Sequence, residues 1–348
     1  MSKEFEDIEK LWKQVKMLMI LIGIMVIVAV FLVVSTSYKP KKKEIEVESP
    51  TILVENPNSL DPSTDLWVAP KIEDAQNLTE IQKEQILYGK DLISNTSKYF
   101  GPKGSVAKIT NGMNCQNCHL DAGTKPYGNN YGAVFSTYPK YRARSGAVED
   151  IYKRVADCFE RSLNGTAPVK GTKEMEAIVA YINFTGSNVE KGKKAKGSGI
   201  YELKFLDRPA DPSKGKIAYL AKCQSCHQAN GEGLLNDDKI SYQYPPLWGK
   251  NAYNSGAGLY RISRFAGYIK ANMPFGVSYK EPQLTDEEAW DIAAYVNNMP
   301  HPGKDISKDW PKIEEKTFDH PFGPFADGFS EEQHKFGPFG PIKKAKSK

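Results

Sequence analysis

Net charge is scarce in this sequence. Its 348 residues carry a formal charge of only +5 at neutral pH, too mild to point to nucleic acid. No alternating strand pattern surrounds its cysteine motifs, which excludes a β-rich core there. No small-residue A-x-A site follows its long apolar run, so nothing marks that run for removal. Cysteine and histidine are sparse too, five of each. Four cysteines fall into two C-x-x-C-H units, Cys115-Gln-Asn-Cys118-His119 and Cys223-Gln-Ser-Cys226-His227, and Cys158 is left over. Zinc needs further paired ligands, and the remaining Cys and His are not so arranged.

What is present begins with an unbroken apolar run from Met17 to Val34. As a helix it is roughly 27 Å long, close to the hydrocarbon thickness of a bilayer. Trp12 and Tyr38 flank it in the manner of interfacial aromatics. Lysines on both sides leave its orientation open. Residues 1–38 read as a short stub, cytoplasmic once the C-x-x-C-H units orient the chain, and an uncleaved signal anchor (17–34). Residues 39–78, rich in Lys, Glu, Pro, Asn and Asp, read as a tether.

An internal repeat organises the rest. Each half has a helical segment with a glycine (Gly89 in ILYGKDLI, Gly215 in SKGKIAYL), then C-x-x-C-H, then a closing helix (AIVAYIN from Ala177, DIAAYVN from Asp291). Thr285 and Glu288 form a capping-box pattern before the second closing helix. The fold class expected is all-α, with two cytochrome c-like domains in tandem at 79–207 and 208–302. The Pro- and Gly-rich tail, 303–348, carries FGPF twice. It reads as an irregular wrap held by its phenylalanines.

In C-x-x-C-H, two thiols add to the two vinyl groups of a haem and the adjacent histidine binds its iron. Two copies within a repeat, behind an export signal, imply two covalently bound haem c groups. Cys115, Cys118, Cys223 and Cys226 attach them, and His119 and His227 are the proximal ligands. Such attachment takes place on the outer face of the bacterial inner membrane, which orients the anchor: single-pass, with the catalytic domains in the periplasm. The repeat also bears on the sixth ligands. Met273 lies 22 residues before Tyr295, and Cys158 lies 23 before Tyr181. The odd cysteine thus stands where its sister domain has a methionine, so Cys158 and Met273 are the expected distal ligands. Met299 and Lys270 are the rivals for the second haem. His301, His320 and His334 read as surface or tail residues.

The segment Val148 to Gly165 has helical apolar spacing. On that helix Arg154, Cys158 and Ser162 follow at i, i+4 and i+8 and share one face. Arg161, Arg142 and Arg144 are near in sequence. A guanidinium beside a cysteine favours the thiolate, and arginines can clamp a small divalent oxyanion. The bland alternative is a solvated basic face.

These residues carry a resemblance. DCFERSLNG with upstream arginines, KANMPFG, AAYVN and the tail DWPKIEEKTFDHPFGPFADGFSEEQHKFGPF are similar to the dihaem thiosulfate dehydrogenases, the tetrathionate-forming or tetrathionate-reducing cytochromes c, over nearly all of residues 80–342. The resemblance implies a first haem, ligated by His and Cys, as the active site, and a second that passes electrons on. It implies substrate-binding roles for Arg144 and Arg154, with Ser162 nearby. The expected activity couples two thiosulfate to tetrathionate with release of two electrons, and is open to reversal. The expected partners are thiosulfate or tetrathionate, an external electron donor or acceptor (cytochrome c or quinone-linked) and the membrane. Relatives with a lysine beside the haem 2 methionine differ from this chain, which has Asn272 there. The competing readings are a non-catalytic dihaem electron carrier and a dihaem peroxidase; the latter lacks an obvious acid/base pairing in this sequence.

Overall fold

The structure, a computed structural model, describes residues 3–37 and 66–347. Tyr38 and the 39–65 part of the expected tether lie outside the described residues. The chain divides into two compact units, 1–51 and 52–348.

The first unit contains one helix, α1 (Lys3–Ser37). Its segment Trp12–Leu32 is long and apolar enough to cross a membrane. Its 21 residues span about 31 Å at helical rise. A signal sequence meets the same description.

The second unit is mostly helical, and its repeat is visible in the packing. In the first half α2 (Glu80–Ser94), α3 (Ile151–Arg161) and α4 (Lys173–Thr185) are the main helices. In the second half they are α5 (Pro212–Lys222), α6 (Ile262–Asn272) and α7 (Asp286–Asn298). α2 crosses α4 and α5 crosses α7, and each crossing is made at a glycine. A Cβ on Gly89 would lie 1.9 Å from the carbonyl oxygen of Ala177, and one on Gly215 would lie 1.9 Å from that of Asp291. Both would also press on a tyrosine Cβ, of Tyr181 or Tyr295, at 2.9 Å. Only glycine lets the two backbones meet this closely.

Side-chain caps set the helix starts. Thr79 with Gln82 and Thr285 with Glu288 form capping boxes on α2 and α7. Asp150 accepts from Lys153 N at 2.8 Å before α3, and Asp211 caps α5, whose first residue is Pro212. The helix expected across Val148 to Gly165 is shorter than its apolar spacing suggested. Val148 belongs instead to a two-stranded hairpin, β1 (Lys140–Arg142) with β2 (Ala147–Glu149), and is exposed. A second small pair, β3 (Leu234–Leu235) and β4 (Tyr242–Tyr244), lies in the other half. Strands of two or three residues are too short to leave an alternating signal.

Ordered packing begins earlier than Thr79. Trp67 is fully buried beside Val189 and Ala195. Its backbone N–H donates to Lys196 O at 2.8 Å and its indole N–H to Asn188 Oδ1 at 3.2 Å. One large aromatic is enough to fix a stretch whose neighbours are polar. The tail is less irregular than expected, because it includes α8 (Glu331–Phe336) and α9 (Phe339–Lys346), the latter extending into the terminal lysines. Its aromatics hold it as foreseen. Phe339 and Phe318 pack on Phe205, Phe322 stacks on Tyr260, and Phe325 stacks on His334.

Candidate haem and anion site

The first C-x-x-C-H opens as a single 3-10 turn, Cys115–Asn117, capped by Asn114. Thr96 Oγ1 accepts from Cys115 N at 3.0 Å, and Asn114 Oδ1 accepts from Ser97 N at 2.8 Å. The turn is thereby pinned to the short helix Thr96–Phe100 that follows α2. His119 directs Nδ1 at the carbonyl of Asn129. A carbonyl only accepts, so that nitrogen carries the proton and Nε2 keeps its lone pair for a metal. Tyr131 stacks on the ring at 4.7 Å. Burial pulls the imidazole down to about 4, against the hydrogen bond to Asn129 that supports its charge, so it is neutral at physiological pH. His227 is arranged alike: its Nδ1 faces Pro245 O at 2.9 Å, and burial lowers it too.

Cys115, Cys118, His119, Arg154, Cys158 and Ser162 line one cavity. It holds ≈ 750 Å³ of atom-free space, part of it open to solvent, with Ile93, Val134, Phe159, Leu163, Ile178 and Ile182 in its wall. Two thiols for the vinyl groups, an imidazole nitrogen for the iron and an apolar slot are what a covalently attached haem requires, and Cys158 adds a further sulfur to the same wall. The residues present fit that group.

The α3 face read from spacing is realised in space. Arg154 Nη1 donates to Cys158 Sγ at 3.2 Å. The negative charge available to Cys158 is the leading reason that Arg154 is held more firmly protonated than usual, against the cost of its burial. Ser162 caps the same helix. The other arginines separate. Arg161 turns away and forms a two-pronged pair with Asp309, both contacts 2.8 Å. Arg142 lies 3.9 Å from Glu149 within the hairpin. Arg144 is outside the cavity wall, with its guanidinium over the ring of Trp310 at 6.0 Å. Burial, then Arg161 and Arg154, bring Arg144 down to about 10.

Near the second motif, Met273 caps the C-terminus of α6. Its rival Lys270 is occupied: Nζ donates to Leu284 O at 2.6 Å and pairs with Asp286 at 2.7 Å. Asn272 is buried and donates to Tyr127 O at 3.1 Å, which ties α6 to the loop after His119. The remaining histidines are engaged. His301 faces two backbone carbonyls, and His334 faces Phe318 O and Asp327. His320 and His334 are buried tail residues rather than surface ones.

Three residues of this region escape a reading of local spacing. Tyr138 Oη is buried without a hydrogen-bond partner among the described residues, and so is Trp310 Nε1. Asp309 sets the direction of Arg161. Trp310 and Asp309 do lie in the tail segment DWPKIEEK that carries the resemblance, but nothing local connects that segment to α3.

Residues 105–190 match the SoxA/TsdA cytochrome c domain family, and residues 212–300 match the cytochrome c family. The thiosulfate dehydrogenase of Psychrobacter arcticus is 38% identical over 206 residues, covering 58% of this chain and 61% of that protein. That of Allochromatium vinosum is 36% identical over 223 residues, covering 63% and 79%. The solved structure of the thiosulfate dehydrogenase TsdBA from Marichromatium purpuratum, in its as-isolated form, superposes with a TM-score of 0.61 at 30% identity. That superposition covers 72% of this chain and 51% of the other. The chain thus spans about three-fifths of the Psychrobacter relative and half of the Marichromatium one. With two cytochrome c domains in tandem, each matched to its own family, the chain belongs to the thiosulfate dehydrogenase family.

Proposed function

We propose that this protein couples two thiosulfate ions to one tetrathionate and releases two electrons, at a haem site whose reactive group is Cys158. The observation that carries this reading is the 3.2 Å approach of Arg154 to Cys158 Sγ in the wall shared with Cys115, Cys118 and His119. An electron carrier has no use for a guanidinium on a cysteine.

Cys115, Cys118, His119 and Cys158 would hold the first haem, and Cys223, Cys226, His227 and Met273 the second. When bound, the haems would supply one-electron acceptance, two electrons for the pair, with a cytochrome c or quinone-linked protein as the external acceptor. The rest of the chemistry belongs to side chains. Arg154 stabilises the thiolate of Cys158. That sulfur bonds to the outer sulfur of one thiosulfate, giving Cys–S–S–SO₃⁻ as two electrons leave. A second thiosulfate attacks the same sulfane sulfur, tetrathionate forms, and the Cys158 thiolate departs. This second step is thiol–disulfide exchange, which runs in either direction. The same residues therefore serve tetrathionate reduction. Arg144 and Arg154 offset the repulsion of two dianions, which is large where water is excluded. Ser162 offers a hydroxyl to a sulfonate oxygen.

The family's chemistry and the apolar helix α1 together support a single-pass anchor in the bacterial inner membrane, with the catalytic domains (79–207 and 208–302) on the periplasmic side. The test is Cys158→Ala. Thiosulfate-dependent reduction of an artificial acceptor vanishes while both haems stay attached; undiminished turnover refutes the reading.

A further inference from the structure

We propose that Trp310, delivered by the C-terminal extension, is a positioning residue of the anion site, its ring holding the Arg144 guanidinium where thiosulfate binds. This rests on the function proposed above.

The argument starts from charge. Arg161 and Arg154 lie close enough to Arg144 to lower its proton affinity. The carboxylates that act on Arg144 are spoken for, Asp309 by Arg161 and Asp157 by Lys153, and Glu149, which acts on Arg154, lies 3.9 Å from Arg142. Among the described residues no carboxylate stands within ion-pairing distance of Arg144 or Arg154. A carboxylate on Arg144 would hold it in place but cancel the charge that a dianion needs. An aromatic face holds a cation without neutralising it, because the attraction is to the ring quadrupole. Trp310 is such a face, 6.0 Å from the Arg144 guanidinium.

The backbone is built to bring the ring there. Trp310 has φ of +62°, a left-handed conformation that is a real outlier for a bulky side chain. Its N–H donates to Arg144 O at 2.7 Å, so the residue that is stacked is also gripped through the main chain. The next residue, Pro311, presses so closely on Gly146 (φ +64°) that a Cβ there would lie 2.5 Å from Pro311 Cγ. The preceding residue is Asp309, with its two-pronged hold on Arg161. Strain at one residue, clamped on both sides, is the pattern of a side chain placed for a purpose rather than for packing.

The test measures thiosulfate binding by the full-length holoprotein, using radiolabelled thiosulfate in equilibrium dialysis without an electron acceptor, with KM and kcat measured in parallel. In Trp310→Leu we expect Kd and KM to rise about tenfold with kcat within threefold, whereas Trp310→Phe, which keeps a ring, stays within threefold of the parent. In an Arg144→Gln background Trp310→Leu adds nothing further, because the residue acts through Arg144. Site-specific fluorinated tryptophan at 310 preserves shape and weakens the quadrupole, so it reads the same effect without disturbing the fold. There, Kd rises stepwise with fluorine number. An unchanged Kd across the fluorine series, or full additivity with Arg144→Gln, overturns the proposal while wild-type binding leaves the parent reading intact. Wild-type protein with no saturable thiosulfate binding overturns both.

Discussion

Arg154 and Cys158, one helical turn apart on α3, meet at 3.2 Å between guanidinium nitrogen and sulfur. Such a pair sets a positive charge against the sulfur and presents the remaining guanidinium N–H groups to an anion. Asp157, between them in sequence, is bound instead by Lys153. The two functions of the arginine can be separated by substitution.

Arg154→Gln removes the charge and Arg154→Lys keeps it without the fork. A charge-assisted hydrogen bond contributes about 1.5–3 kcal/mol. The glutamine variant should therefore lose roughly 10- to 100-fold in kcat/KM for thiosulfate, with the lysine variant in between. Steady-state kinetics on haem-replete protein decides it. Wild-type kcat/KM in Arg154→Gln removes the arginine from the mechanism.

The basic field should be pH-dependent. Burial, then Arg142, Lys194 and Arg154, bring Lys140 down to about 8, opposed by Glu149. Its ammonium is charged below that pH and neutral above it. Thiosulfate affinity should fall about threefold as pH rises through 8, and Lys140→Met should be weaker at pH 7 and flat across that range. For stability the sign is opposite. Between about pH 8 and the ordinary lysine value of 10.5 the unfolded chain binds the proton and the folded chain does not. This group's contribution to stability therefore rises with pH in that window. Binding and melting curves in the same buffers give both slopes.

The helix crossings predict steric failure. Gly89→Ala and Gly215→Ala each place a carbon 1.9 Å from a backbone oxygen. A backbone oxygen cannot swing aside, so the cost reaches or exceeds the upper end of the ~1–3 kcal/mol usual for overpacking. Thermal melting should fall for both, together with haem content in the affected half. An unshifted melt for either would show that the crossing is looser than described.

Asp309→Ala leaves the Arg161 guanidinium, which is only 10% exposed, without its two-pronged partner. Breaking a buried pair costs about 3–5 kcal/mol. The low end is expected because Asp157 remains 3.9 Å away. The tail should then detach more readily, which limited proteolysis after residue 303 would report as faster cleavage.

What is local or repeated is legible in the order of the amino acids alone. The repeat could be seen because C-x-x-C-H, a helix glycine and a closing helix recur in one order. The grouping of Arg154, Cys158 and Ser162 follows from the 3.6-residue turn, and Thr285 with Glu288 has the spacing of a capping box. Tertiary structure alone decided which arginine faces the cavity and which faces the tail. Arg161 is nearer to Cys158 in sequence than Arg154 is, yet Asp309, 148 residues further on, draws it away. Trp67 and Trp310 are likewise ordered by partners far along the chain. Periodicity records only how a segment relates to itself. A salt bridge or a stacked ring across 150 residues depends on how segments pack, and no spacing in the sequence encodes it.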